Sequence, residues 1–161
     1  MNGLSLVMDG EFYAVDVTTV ERVVRNMVWT KVPAAPETVA GIANLKGGII
    51  TLLSLARLLG RSEAGQTANA VVFKPFANGD GQMGLLIDRP GDLIAIDDSQ
   101  IIPPHTEGEM EESSIVSGLA EIEGKLYRII DIDIILSRFK DSDIKPSNKV
   151  SQGGTNSYEE D

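Results

Sequence analysis

Two segments of the chain repeat each other without a gap at an offset of 77 positions. Glycines and apolar residues stay in register over 21 positions in VAGIANLKGGIITLLSLARLL (39–59) and VSGLAEIEGKLYRIIDIDIIL (116–136). Each copy has the pattern of two short strands joined by a glycine turn and followed by a helical turn. The repeat therefore predicts a duplicated β unit. Short antiparallel strands at this spacing favour two small barrels over a sandwich, because closure removes exposed sheet edges.

The segments outside the repeat predict further short elements. Alternating apolar residues predict hairpins over 4–17, turning at Asp9-Gly10, and over 70–88. In VTTVERVVRNM (17–27), valines at helical spacing predict a short helix capped by Thr18 or Thr19. Small polar residues near 61–69 indicate a linker, and residues 141–161 are expected to form a disordered tail.

Composition narrows the classes of function. A net charge of −10 disfavours binding to a phosphate backbone, so we expect no nucleic-acid partner. The chain has no cysteine, which excludes thiol catalysis and thiolate metal sites. The N-terminal residues lack the pattern of a signal peptide, and polar residues interrupt every apolar run. We therefore expect a soluble protein without direct membrane insertion.

Groups with catalytic potential are few in this sequence. His105 is the only histidine and lies in a Pro-Pro-His-Thr segment, which is typical of a solvated loop. Asp131 and Asp133 could bind a hard cation as a pair, but Asp131 matches Ser54 of the other copy, where either side chain can cap a helix. We predict no catalytic residues, no metal site and no cofactor. A small metal-dependent hydrolase that uses Asp131 and Asp133 remains a minor alternative.

The string GIANLKGGIITLLSLARLLG (41–60) resembles CheW-like domains, in which an Asn-Leu-Arg-Gly motif precedes an apolar strand and a short helix. Four other segments fit the same family in order: 12–17, 20–24, 84–94 and 117–136. The resemblance covers residues 3–140, as one domain of two intertwined barrel subdomains. It implies a mainly β fold of two linked five-stranded SH3-like β-barrels with a few short helices, which agrees with the repeat.

The resemblance also implies a function. CheW-like proteins are adaptors that couple chemoreceptors to a CheA-type histidine kinase, and they are not enzymes. The implied partners are the regulatory domain of that kinase and the cytoplasmic tip of methyl-accepting chemoreceptors. The implied location is the cytoplasm, with recruitment to receptor arrays at the membrane. The coupling module of a CheV-like protein, or of another receptor–kinase scaffold, is the alternative within the same class.

Matching the family motifs residue by residue gives a protein-binding set, which is Val20, Glu21, Arg22, Val23, Asn44 and Lys46. Lys46 stands where the family usually has arginine, and lysine lacks the planar fork that makes two parallel contacts. Arg22 stands at the usual glutamate, and Ser54 at the usual aspartate. For Val20 and Val23, plain core packing is an equally open alternative. Four glycines are expected to serve backbone geometry: Gly41, Gly47, Gly118 and Gly124.

Overall fold

The structure, a computed structural model, describes residues 1–62, 68–77, 81–104 and 115–141. The first half of the chain forms β1 (Asn2–Met8), β2 (Glu11–Asp16), β3 (Val20–Val24), β4 (Val39–Leu45), β5 (Gly48–Ser54) and α1 (Leu55–Leu58). The second half forms β6 (Asn69–Phe73), β7 (Gln82–Ile87), β8 (Arg89–Ala95), β9 (Val116–Ile122), β10 (Lys125–Ile130) and α2 (Ile132–Asp141). His105, the predicted tail from 142 onward and most of the predicted linker lie outside the described residues.

The strands form two five-stranded sheets that exchange strands between the halves of the chain. Sheet 1 has the order β8-β1-β2-β10-β9, and sheet 2 has the order β3-β6-β7-β5-β4. The first hairpin of each half therefore joins three strands of the other half. The predicted hairpins are all present and antiparallel. The expectation of a mainly β fold with few short helices is confirmed.

The predicted helix over 17–27 is wrong. Residues Val17–Thr19 form a single 3-10 turn, and the chain then enters strand β3. The cap is Asp16, whose carboxylate accepts a hydrogen bond of 2.9 Å from the Thr18 backbone N–H. Helical spacing of the valines is real, but β-branched side chains lose rotamer freedom in a helix and suit a pleated strand. Pairing with β6 decides the outcome, since it satisfies the backbone of this segment.

The two repeated units share a side-chain helix cap and a backbone hydrogen bond at matching positions. Ser54 caps α1 by accepting from the Arg57 N–H, and Asp131, at the matching position of α2, accepts from the Asp133 N–H at 2.9 Å. The capping interpretation of Asp131 is thereby confirmed. Before each helix, the backbone N–H of Ser54 or Asp131 donates to the carbonyl of Thr38 or Ile115, which also lie 77 positions apart.

Both sheets close on themselves in the same way. In sheet 2 the segment after the edge strand β3 returns to bridge the other edge, with Thr30 paired to Ile42 of β4. In sheet 1 the segment after β8 does the same, with Ile102 paired to Leu119 of β9. Ile42 and Leu119 are 77 positions apart, so closure is part of the duplicated unit. Closure protects the outer edges of β4 and β9 from pairing with other chains.

In the part of the chain that the structure describes, buried apolar side chains form three clusters. The largest contains residues of both sheets, including Leu4 and Leu6 of sheet 1 and Leu53 and Leu85 of sheet 2, and we call it the inter-sheet core. A second cluster, around Leu52, fills sheet 2 alone. The third fills sheet 1 and includes Ile129, Ala14, Ile96 and Ala120. Each sheet thus has its own interior, and the pair is held together by a separate apolar layer.

Candidate functional site

Strand β3 carries the first group of predicted contact residues, Val20 to Val23, on an edge of sheet 2. Val20 and Val23 are half-buried and pack against the inter-sheet core. Glu21 is exposed, and the Arg22 Nε lies 3.9 Å from its carboxylate. The two valines therefore combine core packing with partial exposure. Their role in binding a partner stays a prediction.

The hairpin between β4 and β5 carries the second group, Asn44 and Lys46. Lys46 and Gly47 have φ values of +53° and +84°, as in a two-residue type I′ turn. The Asn44 side-chain oxygen accepts a hydrogen bond of 3.1 Å from the Gly47 N–H, which fixes the turn. Lys46 is exposed at the tip. Asn44 therefore shapes the turn that presents the Lys46 ammonium to solvent.

The four glycines named from the sequence occupy two kinds of position. Gly47 and Gly124 have φ values of +84° and +81°, in the left-handed region of hairpin turns. Gly41 and Gly118 lie inside β4 and β9, where the closing segments pass too near for a Cβ atom. Gly41 meets the Thr30 backbone, whereas Gly118 meets the Ile101 side chain first.

Strand β8 contains a counterpart of the β3 group that the sequence analysis missed. Val20 pairs with Phe73 and Val23 with Val71, and both strands of this pair are interrupted by a register shift. On β8, Pro90 pairs with Leu6 and Leu93 with Leu4 across an equivalent shift. Leu93 is 69% exposed. Val20 and Val23 thus correspond to Pro90 and Leu93, at an offset of 70 and not the 77 of the repeat. This second offset is the signal in the sequence that could have revealed the β8 residues.

The carboxylate of Glu11, at the start of β2, binds the side chains of three other residues. The Glu11 carboxylate accepts hydrogen bonds from Arg61 Nη2 at 2.7 Å and from the Tyr13 hydroxyl at 3.0 Å, and Arg128 Nη2 lies 3.6 Å away. Burial on its own raises the pKa of Glu11, but these hydrogen bonds and the two arginine charges outweigh it and hold the pKa below the usual value of 4.5. Burial and the Glu11 charge raise the pKa of Tyr13.

Replacing this carboxylate is expected to reduce stability in a pH-dependent way. Because the folded-state pKa of Glu11 is lowered, its contribution is complete above its unfolded pKa and is lost as pH falls through the folded value. For Glu11→Gln we expect a loss of about 1 kcal/mol at pH 7, since the ion pair is partly exposed to solvent. Urea unfolding between pH 7 and pH 3 measures it, and the wild-type and variant curves should converge in acid. A constant difference would contradict the assignment.

The acidic residues after β10 line a small cavity. It has a volume of about 220 Å³, and its lining includes Met1, Asp16, Asp131 and Asp133. Asp131 is already engaged as the cap of α2. Within the described ranges, His, Cys, Asp and Glu nowhere form a group of three that could hold a metal ion. The geometry thus gives the hydrolase alternative no support in this part of the chain.

No helix in the described residues is both long and apolar enough to cross a membrane.

Comparison with known proteins identifies the relatives of this fold. The sequence matches the CheW-like domain over residues 2–140. The chemotaxis protein CheW of Thermotoga maritima is 30% identical over 133 residues, covering 83% of this chain and 85% of the relative. The Bacillus subtilis chemotaxis protein CheW is 25% identical over 133 residues, with 82% and 84% coverage.

A solved structure agrees with the sequence relatives. The scaffolding protein TtCheW from Thermoanaerobacter tengcongensis superposes with a TM-score of 0.69 at 28% identity, covering 81% of this chain and 88% of the other. The domain match spans both five-stranded sheets and the segments that close each of them. The chain therefore belongs to the CheW-like family.

Proposed function

We propose that this protein is a non-enzymatic coupling adaptor of bacterial chemotaxis. In this proposal it binds the cytoplasmic tip of methyl-accepting chemoreceptors and the regulatory domain of a CheA-type histidine kinase at the same time. It acts in the cytoplasm and is recruited to receptor arrays. The observation that supports this most is the pair of equivalent edge strands with exposed or half-exposed apolar side chains, on the fold of a family whose members are chemotaxis scaffolds.

The surface chemistry supports binding of proteins rather than of small ligands. Apolar side chains on β3 and β8 supply buried area, with Val20 and Val23 on one strand and Leu93 on the other. Charged neighbours surround them, and polar rims of this kind set specificity and orientation more than affinity. Glu21 and Arg22 supply that rim on β3. A fold with two such strands is suited to hold two partners at once.

A reconstitution experiment tests the proposal. The full chain is titrated into the kinase regulatory domain, into a receptor cytoplasmic fragment and into their mixture, with binding followed by calorimetry and complex mass by light scattering. We expect binding to each partner and a ternary complex. Failure to bind either partner would overturn the proposed function.

Two valine variants locate the contact surface within the same experiment. Val23→Ser removes an apolar group from β3, and we expect about a tenfold loss of affinity for one partner. Val28→Ser is the matched control, since Val28 is 88% exposed and lies outside the predicted contact set. Thermal melting confirms that each variant is folded. Equal losses in both variants would contradict a specific role for β3.

A further inference from the structure

Arg61 connects the β5–α1 segment of sheet 2 to the β1–β2 hairpin of sheet 1. Helix α1 continues directly from β5 of sheet 2 and is followed by Gly60, whose φ is +77°. From the next position, the Arg61 guanidinium reaches over to the β1–β2 turn. Its Nη2 lies 2.7 Å from Glu11 Oε1, and its Nη1 lies 3.4 Å from Asp9 Oδ2. One planar fork thus holds two carboxylates that belong to the other sheet.

The receiving side of this contact is itself held in place. Tyr13 is fully buried in sheet 1, and its hydroxyl donates to Glu11, while Arg128 of β10 lies on the other carboxylate oxygen. The backbone N–H of Asp9 donates at 2.7 Å to the carboxylate of Asp88, which lies between β7 of sheet 2 and β8 of sheet 1. The Glu11 carboxylate is therefore held by several partners, and the backbone of Asp9 is anchored at the same turn.

Directional contacts of this kind complement the apolar layer between the sheets. The inter-sheet core is held by burial of apolar area, which is non-directional and tolerates small sliding of one sheet over the other. Val20 and Val23 pack at the rim of this core, so the exposed area of both side chains depends on how the sheets are placed. A planar arginine that bridges two carboxylates has a narrow range of good geometries and restricts that sliding.

We propose that Arg61 is a positioning residue that fixes the placement of sheet 2 against sheet 1 through Asp9 and Glu11. By doing so it keeps Val20 and Val23 in the arrangement that a partner meets. The first statement stands on geometry alone, and only the second rests on the proposed function. Arg61 itself is 23% exposed in its side chain and need not touch a partner.

Distance measurements between spin labels test the first statement without any partner. The chain has no cysteine, so two engineered cysteines are labelled cleanly. Lys74→Cys after β6 and Glu121→Cys on β9 report across the sheets, and Asp92→Cys on β8 with Glu121→Cys reports within sheet 1. In Arg61→Ala we expect the inter-sheet distance distribution to shift or broaden by about 2 Å, the scale of small sliding between packed elements. The distribution within sheet 1 should not change.

Matched variants separate positioning from plain stabilisation. Arg57→Ala removes another arginine of the same region. Arg57 donates to the Glu37 carbonyl just before β4, on the sheet 2 side, so we expect no change between the sheets. Arg61→Lys keeps the charge without the fork and should recover only part of the wild-type distribution. A loss of stability in Arg61→Ala with an unchanged inter-sheet distribution would overturn the proposal.

Binding gives a separate readout for the second statement. If the proposed function holds, Arg61→Ala should weaken the partner that contacts β3 about fivefold, a typical size of coupling between sites. If Arg61→Ala binds that partner with wild-type affinity although its inter-sheet distance distribution is broadened, the second statement is overturned and the first stays in place. Absence of binding by the wild-type chain would be a failure of the proposed function alone.

Discussion

Gly41→Ala is expected to lower the free energy of unfolding by about 3 kcal/mol or more. A Cβ atom at this position would lie 2.1 Å from the Thr30 carbonyl oxygen and 2.7 Å from Cε3 of Trp29. The oxygen belongs to the backbone that bridges Ile42 and closes sheet 2, so it cannot move without breaking the bridge. Urea unfolding followed by fluorescence of Trp29, the only tryptophan, measures the loss.

The chain offers two graded controls for this prediction. At Gly48, in the same hairpin, the nearest atom to a Cβ would be the Leu45 carbonyl oxygen at 3.7 Å, so Gly48→Ala should be within about 0.5 kcal/mol of wild type. At Gly118 the Cβ would first meet the Ile101 side chain, at 2.6 Å, and a side chain can yield more than backbone. We expect the order Gly41, Gly118, Gly48 in decreasing cost. Equal stability of the Gly41 and Gly48 variants would contradict this account of closure.

Lys46→Glu is expected to weaken partner binding at least tenfold, which corresponds to about 1.4 kcal/mol, with little change in stability. The substitution reverses an exposed charge at the hairpin tip. The variant is expected to keep the turn, because Glu123 occupies the matching position of the β9–β10 turn with the same φ of +53°. The chain therefore already contains a glutamate in this backbone conformation. Calorimetry with the kinase regulatory domain and the receptor fragment measures the loss.

Two further lysine variants sharpen the result. Lys74→Glu makes the same charge change at another exposed lysine, directly after β6 of sheet 2. It should leave the affinity for each partner within about twofold of the wild-type value. Lys46→Arg restores the planar fork that the family usually has here, and a gain in affinity would show that a bidentate contact is available to the partner. If Lys46→Glu binds both partners like wild type, the contact lies elsewhere.

Local pattern was enough to predict much of the architecture. The repeat at 39–59 and 116–136 gave both hairpins and both helix starts, because turn glycines and caps act over a few residues. The segment 17–27 was predicted wrongly, because its valines have helical spacing although their β-branched side chains suit a strand. Its partner β6 lies far along the chain, and only that pairing distinguishes the two.

Predicting the site from sequence had the same limit. The contact residues on β3 and at the β4–β5 tip came from family motifs, and their binding role stays a prediction. The β8 counterpart was missed because Val23 and Leu93 are equivalent only in how their strands pair beside a register shift, and their offset of 70 departs from the 77 of the repeat. Arg61 fell in a stretch whose small polar residues indicated a linker. Nothing local shows that its partner Glu11 lies 50 residues earlier.

The exchange of strands between halves has a consequence for how the chain is made. All of sheet 2 lies in one continuous stretch, from β3 to β7, so it can assemble as soon as that stretch leaves the ribosome. The β1–β2 hairpin emerges first, yet it must wait for β8, β9 and β10 before sheet 1 exists. Parallel pairing of β2 with β10 joins residues near opposite ends, the kind of contact that slows folding. Neither half of the chain contains a complete sheet, so each half depends on strands from the other to pair its edges.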